Sequence, residues 1–263
     1  MSAILIATAV IGIVGLLVGI GLVYIGNKFH VEVDERETAI REVLPGNNCG
    51  ACGYAGCDAV AAAIVKGEAS AAACPVGGAP VAAKINAIMG TSAEAAARRV
   101  AFVRCGGSCE HTSAKNTYIG IRDCRAAALA GMHPWKCDYG CMGYGSCAAV
   151  CPEDAISVVD GVAVVDKEKC VGCGLCAKAC PKNLIELVPY VQRVFVRCRN
   201  TDKGKDVKAA CDVGCIGCRL CTKQCESGAV TVDNNLAHID PSLCTNCGKC
   251  AEKCPQGTIA TGV

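Results

Sequence analysis

The stretch Cys137–Cys180 reads CDYGCMGYGSCAAVCPEDAISVVDGVAVVDKEKCVGCGLCAKAC, and a related stretch follows it as Cys211–Cys254. The second stretch reads CDVGCIGCRLCTKQCESGAVTVDNNLAHIDPSLCTNCGKCAEKC. The two align without gaps, so that all eight cysteines of the first fall on cysteines of the second. Both end in C-x2-C-x2-C-x3-C-P, the spacing that holds [4Fe–4S] clusters. The self-similarity indicates one duplicated unit.

The 25 cysteines among 263 residues form either a disulfide framework or a metal framework. Disulfides are typical of short secreted chains, and an odd count leaves one thiol over. Three cysteines spaced C-x2-C-x2-C are hard to join by relaxed disulfide geometry, whereas they present three sulfurs to one cluster. The pattern therefore favours iron–sulfur clusters assembled in a reducing compartment.

The composition fits a chain that clusters hold together. Aromatic residues make up only 4%, so a large aromatic core is not available, and clusters cross-link small units instead. The formal net charge of +2 counts every thiol as neutral. Each oxidised cubane with four thiolates carries about two negative charges, so five would bring the protein to about −8. Basic residues are then expected partly to compensate for clusters.

The N-terminal residues Ala3–Gly26 contain no charge and consist mainly of aliphatic residues and glycine. At ~1.5 Å per helical residue, this segment reaches across a ~30 Å hydrocarbon core. A signal peptide would have a basic start and a shorter apolar run, so the segment favours an uncleaved anchor. Lys28, Arg36 and Arg41 follow it. They predict a single-pass protein of the cell membrane with its iron–sulfur domains on the cytoplasmic side.

A separate cysteine motif, C-x2-C-x4-C-x16-C, lies between the anchor and the duplicated units. Its cysteines are Cys49, Cys52, Cys57 and Cys74. The alanine-rich segment 58–73 predicts one helix that returns Cys74 to the site. Zinc sites usually pair two C-x2–4-C motifs, which this spacing does not match, so we expect a cluster here too.

The chain divides into four predicted segments within an α+β fold. They are a transmembrane anchor at 1–27, a small helical [4Fe–4S] domain at 28–98, a first ferredoxin-like unit with an insert at 99–190 and a second at 191–263. Residues 79–101 are helical by pattern, with a break at Gly90. Each unit begins with the same four residues, Phe-Val-Arg-Cys. Alternating apolar runs at 155–165 and 229–239 predict a β-hairpin in each unit, and the segments between closely spaced cysteines predict short helices.

Ferredoxins with two clusters give a rule for grouping the ligands, since the fourth cysteine of each run binds the other cluster. In the first unit this predicts the set Cys151, Cys170, Cys173 and Cys176. In the second unit it predicts two sets, which are Cys215, Cys218, Cys221 and Cys254, and Cys225, Cys244, Cys247 and Cys250. The remaining set is irregular because Tyr144 stands where the second copy has Cys218. Cys137 is the available substitute, which gives Cys137, Cys141, Cys147 and Cys180.

Five cysteines remain after these five clusters are assigned. They are Cys105, Cys109, Cys124, Cys198 and Cys211. The duplication makes Cys105 and Cys198 equivalent. Four of the five could hold a sixth cluster, but their spacing matches no known run, and free or buried thiols are the alternative.

The sequence contains no feature of a substrate-converting active site. It has no P-loop and no G-x-G-x-x-G motif between strand and helix, and its four histidines are scattered. We therefore predict no catalytic residue and no nucleic-acid partner. A row of clusters transfers single electrons.

An N-terminal apolar helix, the motif L-P-G-x-N-C-G-x-C-G-x-x-G-C from Leu44 to Cys57, C-P-x-G-G from Cys74, and then ferredoxin runs resemble the B subunit of the Rnf complex. The resemblance covers the whole chain. It implies a component of an ion-translocating ferredoxin:NAD⁺ oxidoreductase that accepts electrons from soluble reduced ferredoxin. Other subunits of the membrane complex then receive the electrons, and NAD⁺ and flavins bind elsewhere. The second unit is similar to that of the longer forms.

Two alternatives stay open at this stage. One is the electron-feeding subunit of a related membrane complex, which reduces a redox-sensing transcription factor or serves a hydrogenase. The other is a zinc-binding scaffold without redox activity.

The C-terminal half suggests where an acidic ferredoxin docks. From Lys167 to Val263 there are 14 Lys and Arg against 9 Asp and Glu. Several of the basic residues are crowded between Arg193 and Lys208, where they would steer an acidic partner. The alternative is that they neutralise clusters beneath them.

Overall fold

The computed structural model describes residues 2–28, 34–91 and 97–262. Helix α1 runs over Ser2–Lys28, with side chains described at Ile6, at Val10 and over 12–25. Within the described residues, no helical segment meets the length and apolarity needed to cross a membrane. His30 lies outside the described residues.

Three helices build the small N-terminal domain, namely α2 (Glu35–Val43), α3 (Cys57–Val65) and α4 (Gly78–Met89). The Asp34 carboxylate caps α2 by accepting a hydrogen bond from the Arg36 backbone N–H at 2.9 Å. The helices pack around Ile40, Val60 and Ile85, which are almost fully buried. The domain thus has its own core beside the first cysteine motif.

Two helix predictions for this region extended too far. The helix predicted over 58–73 ends at Val65, because Gly67 adopts a left-handed conformation at φ 77° and its N–H bonds the Ile64 carbonyl at 3.0 Å. The helix predicted to reach residue 101 ends at Met89 as predicted near Gly90, but Arg99–Val103 then forms strand β1. Pairing with a distant strand outweighs the helical preference of that segment.

The first unit combines short helices with two separate two-stranded sheets. After β1 come α5 (Cys124–Leu129), α6 (Ser146–Ala149), β2 (Ile156–Val159), β3 (Val162–Val165), α7 (Leu175–Ala179) and β4 (Ile185–Pro189). β2 and β3 form the predicted antiparallel hairpin. β1 pairs antiparallel with β4, with Arg99 opposite Pro189 and Val103 opposite Ile185, and this pairing closes the unit.

The second unit repeats this arrangement. Its elements are β5 (Val194–Val196), α8 (Gly204–Ala210), α9 (Leu220–Gln224), β6 (Val230–Asp233), β7 (Leu236–Ile239), α10 (Lys249–Glu252) and β8 (Ile259–Thr261). β6 and β7 form the second predicted hairpin, which turns through Asn234 and Asn235 at positive φ. β5 pairs with β8 as β1 pairs with β4.

The two units meet through their repeated Phe-Val-Arg-Cys segments. The rings of Phe102 and Phe195 stack with centroids 4.2 Å apart and planes inclined by 19°. The Gly106 N–H donates to the Arg197 carbonyl at 2.9 Å, and the Thr112 hydroxyl donates to the Ala210 carbonyl at 2.8 Å. The contact therefore brings the cysteine that ends each repeated segment to the joint between the units.

Candidate metal centres

Two of the predicted cysteine sets line cavities in the grouping that the ferredoxin rule predicted. One cavity, in the first unit, is lined by Cys151, Cys170, Cys173 and Cys176. The other, in the second unit, is lined by Cys215, Cys218, Cys221 and Cys254. One cysteine of each run lies on a short helix, as predicted, with Cys176 on α7 and Cys221 on α9.

Backbone N–H groups point at the sulfurs of these cavities. Ala101 donates to the Cys170 Sγ at 3.3 Å and Ala155 to the Cys151 Sγ at 3.3 Å. Ala237 of β7 donates to the Cys215 Sγ at 3.4 Å. Such hydrogen bonds stabilise thiolates and tune the potential of a cluster bound to them, so the sheets support the cysteines chemically as well as sterically.

The irregular set of the first unit is not the one that the sequence predicted. The cavity there is lined by Cys124 together with Cys141, Cys147 and Cys180, while Cys137 lines a different cavity. The Asp123 carboxylate caps α5 and also accepts a hydrogen bond from the Ser146 hydroxyl at 2.6 Å. The Ser146 hydroxyl in turn accepts from the Cys124 N–H at 2.7 Å, which fixes α5 against α6.

The insert of the first unit thus supplies the sulfur that is missing at Tyr144. The ring of Tyr144 packs against Tyr118 of the insert with centroids 5.6 Å apart. The same small core includes Cys124 and Met142. The prediction that Cys137 completes this set is wrong, because the insert folds back over α6 and places Cys124 there.

A further cavity lies at the joint between the two units. Its cysteines are Cys105, Cys137, Cys198 and Cys211. Three of the four were left unassigned by the sequence, and the fourth was assigned elsewhere. The remaining unassigned cysteine, Cys109, is exposed and is absent from the linings of these described cavities.

The two other predicted sets are also gathered in space. In the N-terminal domain, burial raises the pKa of the Cys74 thiol, and the thiols of Cys57 and Cys52 add to this effect. The Asn48 side-chain oxygen accepts a hydrogen bond from the Cys57 N–H at 2.8 Å, which holds the cysteine loop against α3. At the C-terminus, burial raises the pKa of the Cys250 thiol, and the neighbouring thiols belong to Cys244, Cys225 and Cys247.

Cysteines at the edges of adjacent sets lie close to one another. Burial raises the pKa of Cys173, and Cys49 of the N-terminal domain is among the thiols that raise it further. Burial likewise raises the pKa of Cys176 to about 12, with Cys147 of the next set as a neighbour. The Cys141 N–H donates to the Cys105 Sγ at 3.4 Å. At the joint's other side, the Cys215 N–H donates to the Cys198 Sγ at 3.3 Å.

These contacts arrange the cysteine sets in a single succession. It begins in the N-terminal domain, passes through the two sets of the first unit and the cavity at the joint, and ends in the second unit. There, Cys221 and Cys250 of its two sets share one core. Centres in such an order can pass an electron from neighbour to neighbour along the chain.

The chemistry of the thiols fits clusters. Burial raises the pKa of Cys105 to about 12 and that of Cys147 to about 11, so these thiols are neutral until iron displaces their protons. Among the described residues, no group of three or more His, Cys, Asp or Glu converges to hold one metal ion. A cubane takes each thiolate on a separate iron corner, so its ligands line a cavity.

His133 is structural, as predicted for the scattered histidines. Its ring is buried, with Nδ1 3.1 Å from the Trp135 carbonyl oxygen and Nε2 3.2 Å from the Gly140 carbonyl oxygen. Burial lowers its pKa. It therefore braces the loop that carries Cys137.

The fold and the cysteine sets define an electron-transfer protein with several iron–sulfur centres. Three family models match the chain, described as "Putative Fe-S cluster" over residues 44–76, "4Fe-4S binding domain" over 163–186 and "4Fe-4S dicluster domain" over 214–258. They cover the N-terminal domain and parts of both ferredoxin-like units.

Relatives match over the whole length of the chain, and each is the B subunit of a membrane redox complex. The chain is 47% identical to that of the Na⁺-translocating ferredoxin:NAD⁺ oxidoreductase complex of Acetobacterium woodii, over 100% of this chain and 79% of that protein. It is 43% identical to that of the proton-translocating ferredoxin:NAD⁺ oxidoreductase complex of Clostridium ljungdahlii, over 98% and 93%. It is 42% identical to that of the ion-translocating oxidoreductase complex of Methanosarcina acetivorans, over 98% and 99%. The chain belongs to the family of B subunits of Rnf-type ion-translocating oxidoreductase complexes.

Proposed function

We propose that this chain is the iron–sulfur subunit that relays electrons from reduced ferredoxin to the other subunits of an Rnf-type ion-translocating ferredoxin:NAD⁺ oxidoreductase. The observation that carries the proposal is the single succession of cysteine sets from the second unit to the N-terminal domain. Family membership supplies the complex in which that relay operates. The relatives' names specify sodium in one case and protons in another, so the proposal does not include the identity of the ion.

Five cysteine sets are proposed as ligands of [4Fe–4S] clusters. They are the predicted sets of the N-terminal domain and second unit, the 151–176 set, and the corrected set that contains Cys124. When bound, each cubane supplies one-electron chemistry. The chain's own contribution is to hold the thiolates, donate N–H groups to their sulfurs and exclude water from the buried members. No residue of the chain is assigned a proton-transfer or covalent role.

The N-terminal helix is proposed as a single-pass anchor, with the iron–sulfur domains on the cytoplasmic side. The sequence from Ala3 to Gly26 carries no charge. The described large apolar side chains of α1 are exposed, as illustrated by Leu16 at 65% and Leu22 at 65%. An apolar surface of this kind is stable when hydrocarbon covers it. Membership of a family whose members serve ion-translocating complexes agrees with this location.

Electrons are proposed to enter at the second unit and to leave from the N-terminal domain. Cys218 and Cys247 of the second unit are exposed, so clusters bound there would approach the surface that a soluble ferredoxin reaches. The N-terminal domain follows the anchor directly in sequence, which places its cluster nearest to membrane subunits.

The basic segment ahead of the second unit divides into two groups. Arg197 and Arg199 line the cavity at the joint, where their charge compensates buried thiolates. The exposed lysines are the proposed steering residues for an acidic ferredoxin. They are Lys203, Lys205 and Lys208.

The experiment that tests the proposal is anaerobic purification of the full chain, followed by mixing with reduced ferredoxin. Bleaching of the iron–sulfur absorbance at a rate that rises with ferredoxin concentration is the expected result. NADH alone should leave the absorbance unchanged, because NAD⁺ binds elsewhere in the complex. A colourless, zinc-containing protein, or clusters that ferredoxin does not reduce, would refute the proposed function.

A further inference from the structure

We propose that the cavity at the joint between the two units binds a sixth [4Fe–4S] cluster, with two cysteine ligands from each unit. The ligands are Cys105 and Cys137 of the first unit and Cys198 and Cys211 of the second. The inference rests on the proposed function in that the neighbouring sets carry the other clusters. None of the three matching family models contains any of these four residues.

Two glycines show that the four sulfurs surround one space. A Cβ atom added to Gly107 would lie 3.1 Å from the Cys211 Sγ and 3.9 Å from the Cys105 Sγ. A Cβ atom added to Gly140 would lie 3.7 Å from the Cys137 Sγ and 3.8 Å from the Cys105 Sγ. The backbone at these glycines therefore closely approaches sulfurs of both units, as loops around a cluster do.

Donors converge on these sulfurs more densely than neutral thiols require. The Cys198 Sγ accepts from the backbone N–H groups of Asn200 at 3.4 Å and of Cys215 at 3.3 Å. The Cys105 Sγ accepts from Cys141 N–H at 3.4 Å. The Asn200 side-chain amide donates to the Cys137 Sγ at 3.7 Å, and Asn200 is only 2% exposed. A cluster with four thiolates accepts this set of hydrogen bonds.

The charges around the cavity also fit a cluster. Arg104, Arg197 and Arg199 line it, and Arg104 is paired with Glu186 at 2.6 Å. The other two arginines have no carboxylate beside them in the lining of the cavity. They are then available to balance about two negative charges of an oxidised cubane with four thiolates.

The position of the cavity gives the sixth cluster a definite role. Its ligand Cys105 is bonded to the backbone of Cys141, which belongs to the adjacent set of the first unit. Its ligand Cys198 is bonded to the backbone of Cys215, which belongs to the adjacent set of the second unit. The cluster accepts one electron from the set on one side and gives one electron to the set on the other, with no bond made or broken. It thereby connects the two halves of the relay.

The test compares the metal content of the anaerobically reconstituted full chain with that of two variants. The double variant Cys198→Ala/Cys211→Ala removes both ligands of the second unit, and Cys109→Ala removes the exposed thiol that lines none of the described cysteine cavities. We expect ~24 irons and ~24 sulfides in the wild type, ~20 of each in the double variant and ~24 in Cys109→Ala, at four irons per cubane. The EPR signals of the other clusters should persist in the double variant.

Three outcomes would overturn the inference. The first is ~20 irons in the fully loaded wild type, a measurement that needs no variant to fold. The second is unchanged iron in the double variant. The third is one zinc per wild-type chain that the double variant loses. None of these would affect the proposed ferredoxin relay through the other clusters, which fails only if ferredoxin does not reduce the protein.

Discussion

Replacing Asn200 should lower the reduction potential of the cluster at the joint without removing its iron. The Asn200 amide donates to the Cys137 Sγ at 3.7 Å, and its side-chain oxygen accepts from the Asp202 N–H at 2.7 Å. A hydrogen bond to a cluster sulfur favours the reduced, more negative state. If the bond is stronger in that state by ~1 kcal/mol, its loss lowers a one-electron potential by ~40 mV.

The series Asn200→Ala and Asn200→Asp separates this effect from simple loss of packing. Aspartate keeps the acceptor for the Asp202 N–H but places a carboxylate oxygen near Cys137, so it should lower the potential more than alanine does. Asn116→Ala is the matched control, because the Asn116 amide donates to the His133 carbonyl at 3.2 Å rather than to a sulfur. It should leave all potentials unchanged.

The assay is an EPR-monitored redox titration of the full chain. The relevant signal is the one that disappears in Cys198→Ala/Cys211→Ala. An unchanged midpoint in both Asn200 variants, or an equal shift in Asn116→Ala, would refute the reasoning.

Three other predictions address the corrected ligand set, the docking residues and the anchor. Cys124→Ala should lose ~4 irons per chain whereas Cys109→Ala loses none, and equal iron content in the two would restore another ligand for that cluster. Exchange of the three steering lysines for glutamine should slow reduction by ferredoxin and flatten its dependence on ionic strength at constant iron, whereas Lys84→Gln on the N-terminal domain should do neither. An unchanged rate at low salt would remove these residues from the docking surface. Leu16→Arg/Leu17→Arg should release the chain from membranes with its iron intact, because each arginine near the centre of the span costs about 2.5–3.5 kcal/mol of insertion; retention in the membrane fraction would argue against the anchor. The three lysines exchanged in the second experiment are Lys203, Lys205 and Lys208.

The features that the sequence predicted correctly are governed by short-range spacing. The hairpins over 155–165 and 229–239 depend on alternation and turn residues within one short segment. Runs such as Cys170, Cys173 and Cys176 place three sulfurs around one cavity by local geometry alone. The ferredoxin rule then supplied the fourth member correctly for the 151–176 and 215–254 sets.

The features that the sequence missed depend on contacts between distant segments. Cys124 reaches its cavity because Asp123 and Ser146 connect the insert to α6, and nothing in the spacing of Cys124 indicates that contact. The repeat showed that Cys105 and Cys198 are equivalent. That the two repeats face each other across the Phe102–Phe195 stack is a tertiary property. Strand β1 was missed for the same reason, since only its pairing with β4 decides its conformation.

The most direct test of the relay is to break it at the joint and observe which clusters ferredoxin still reduces. Cys198→Ala/Cys211→Ala would be mixed with reduced ferredoxin and freeze-quenched for EPR at successive times. The account predicts that clusters of the second unit are reduced as rapidly as in the wild type, while those of the first unit and the N-terminal domain stay oxidised over the same period. Reduction of all clusters at the wild-type rate would contradict a single path through the joint.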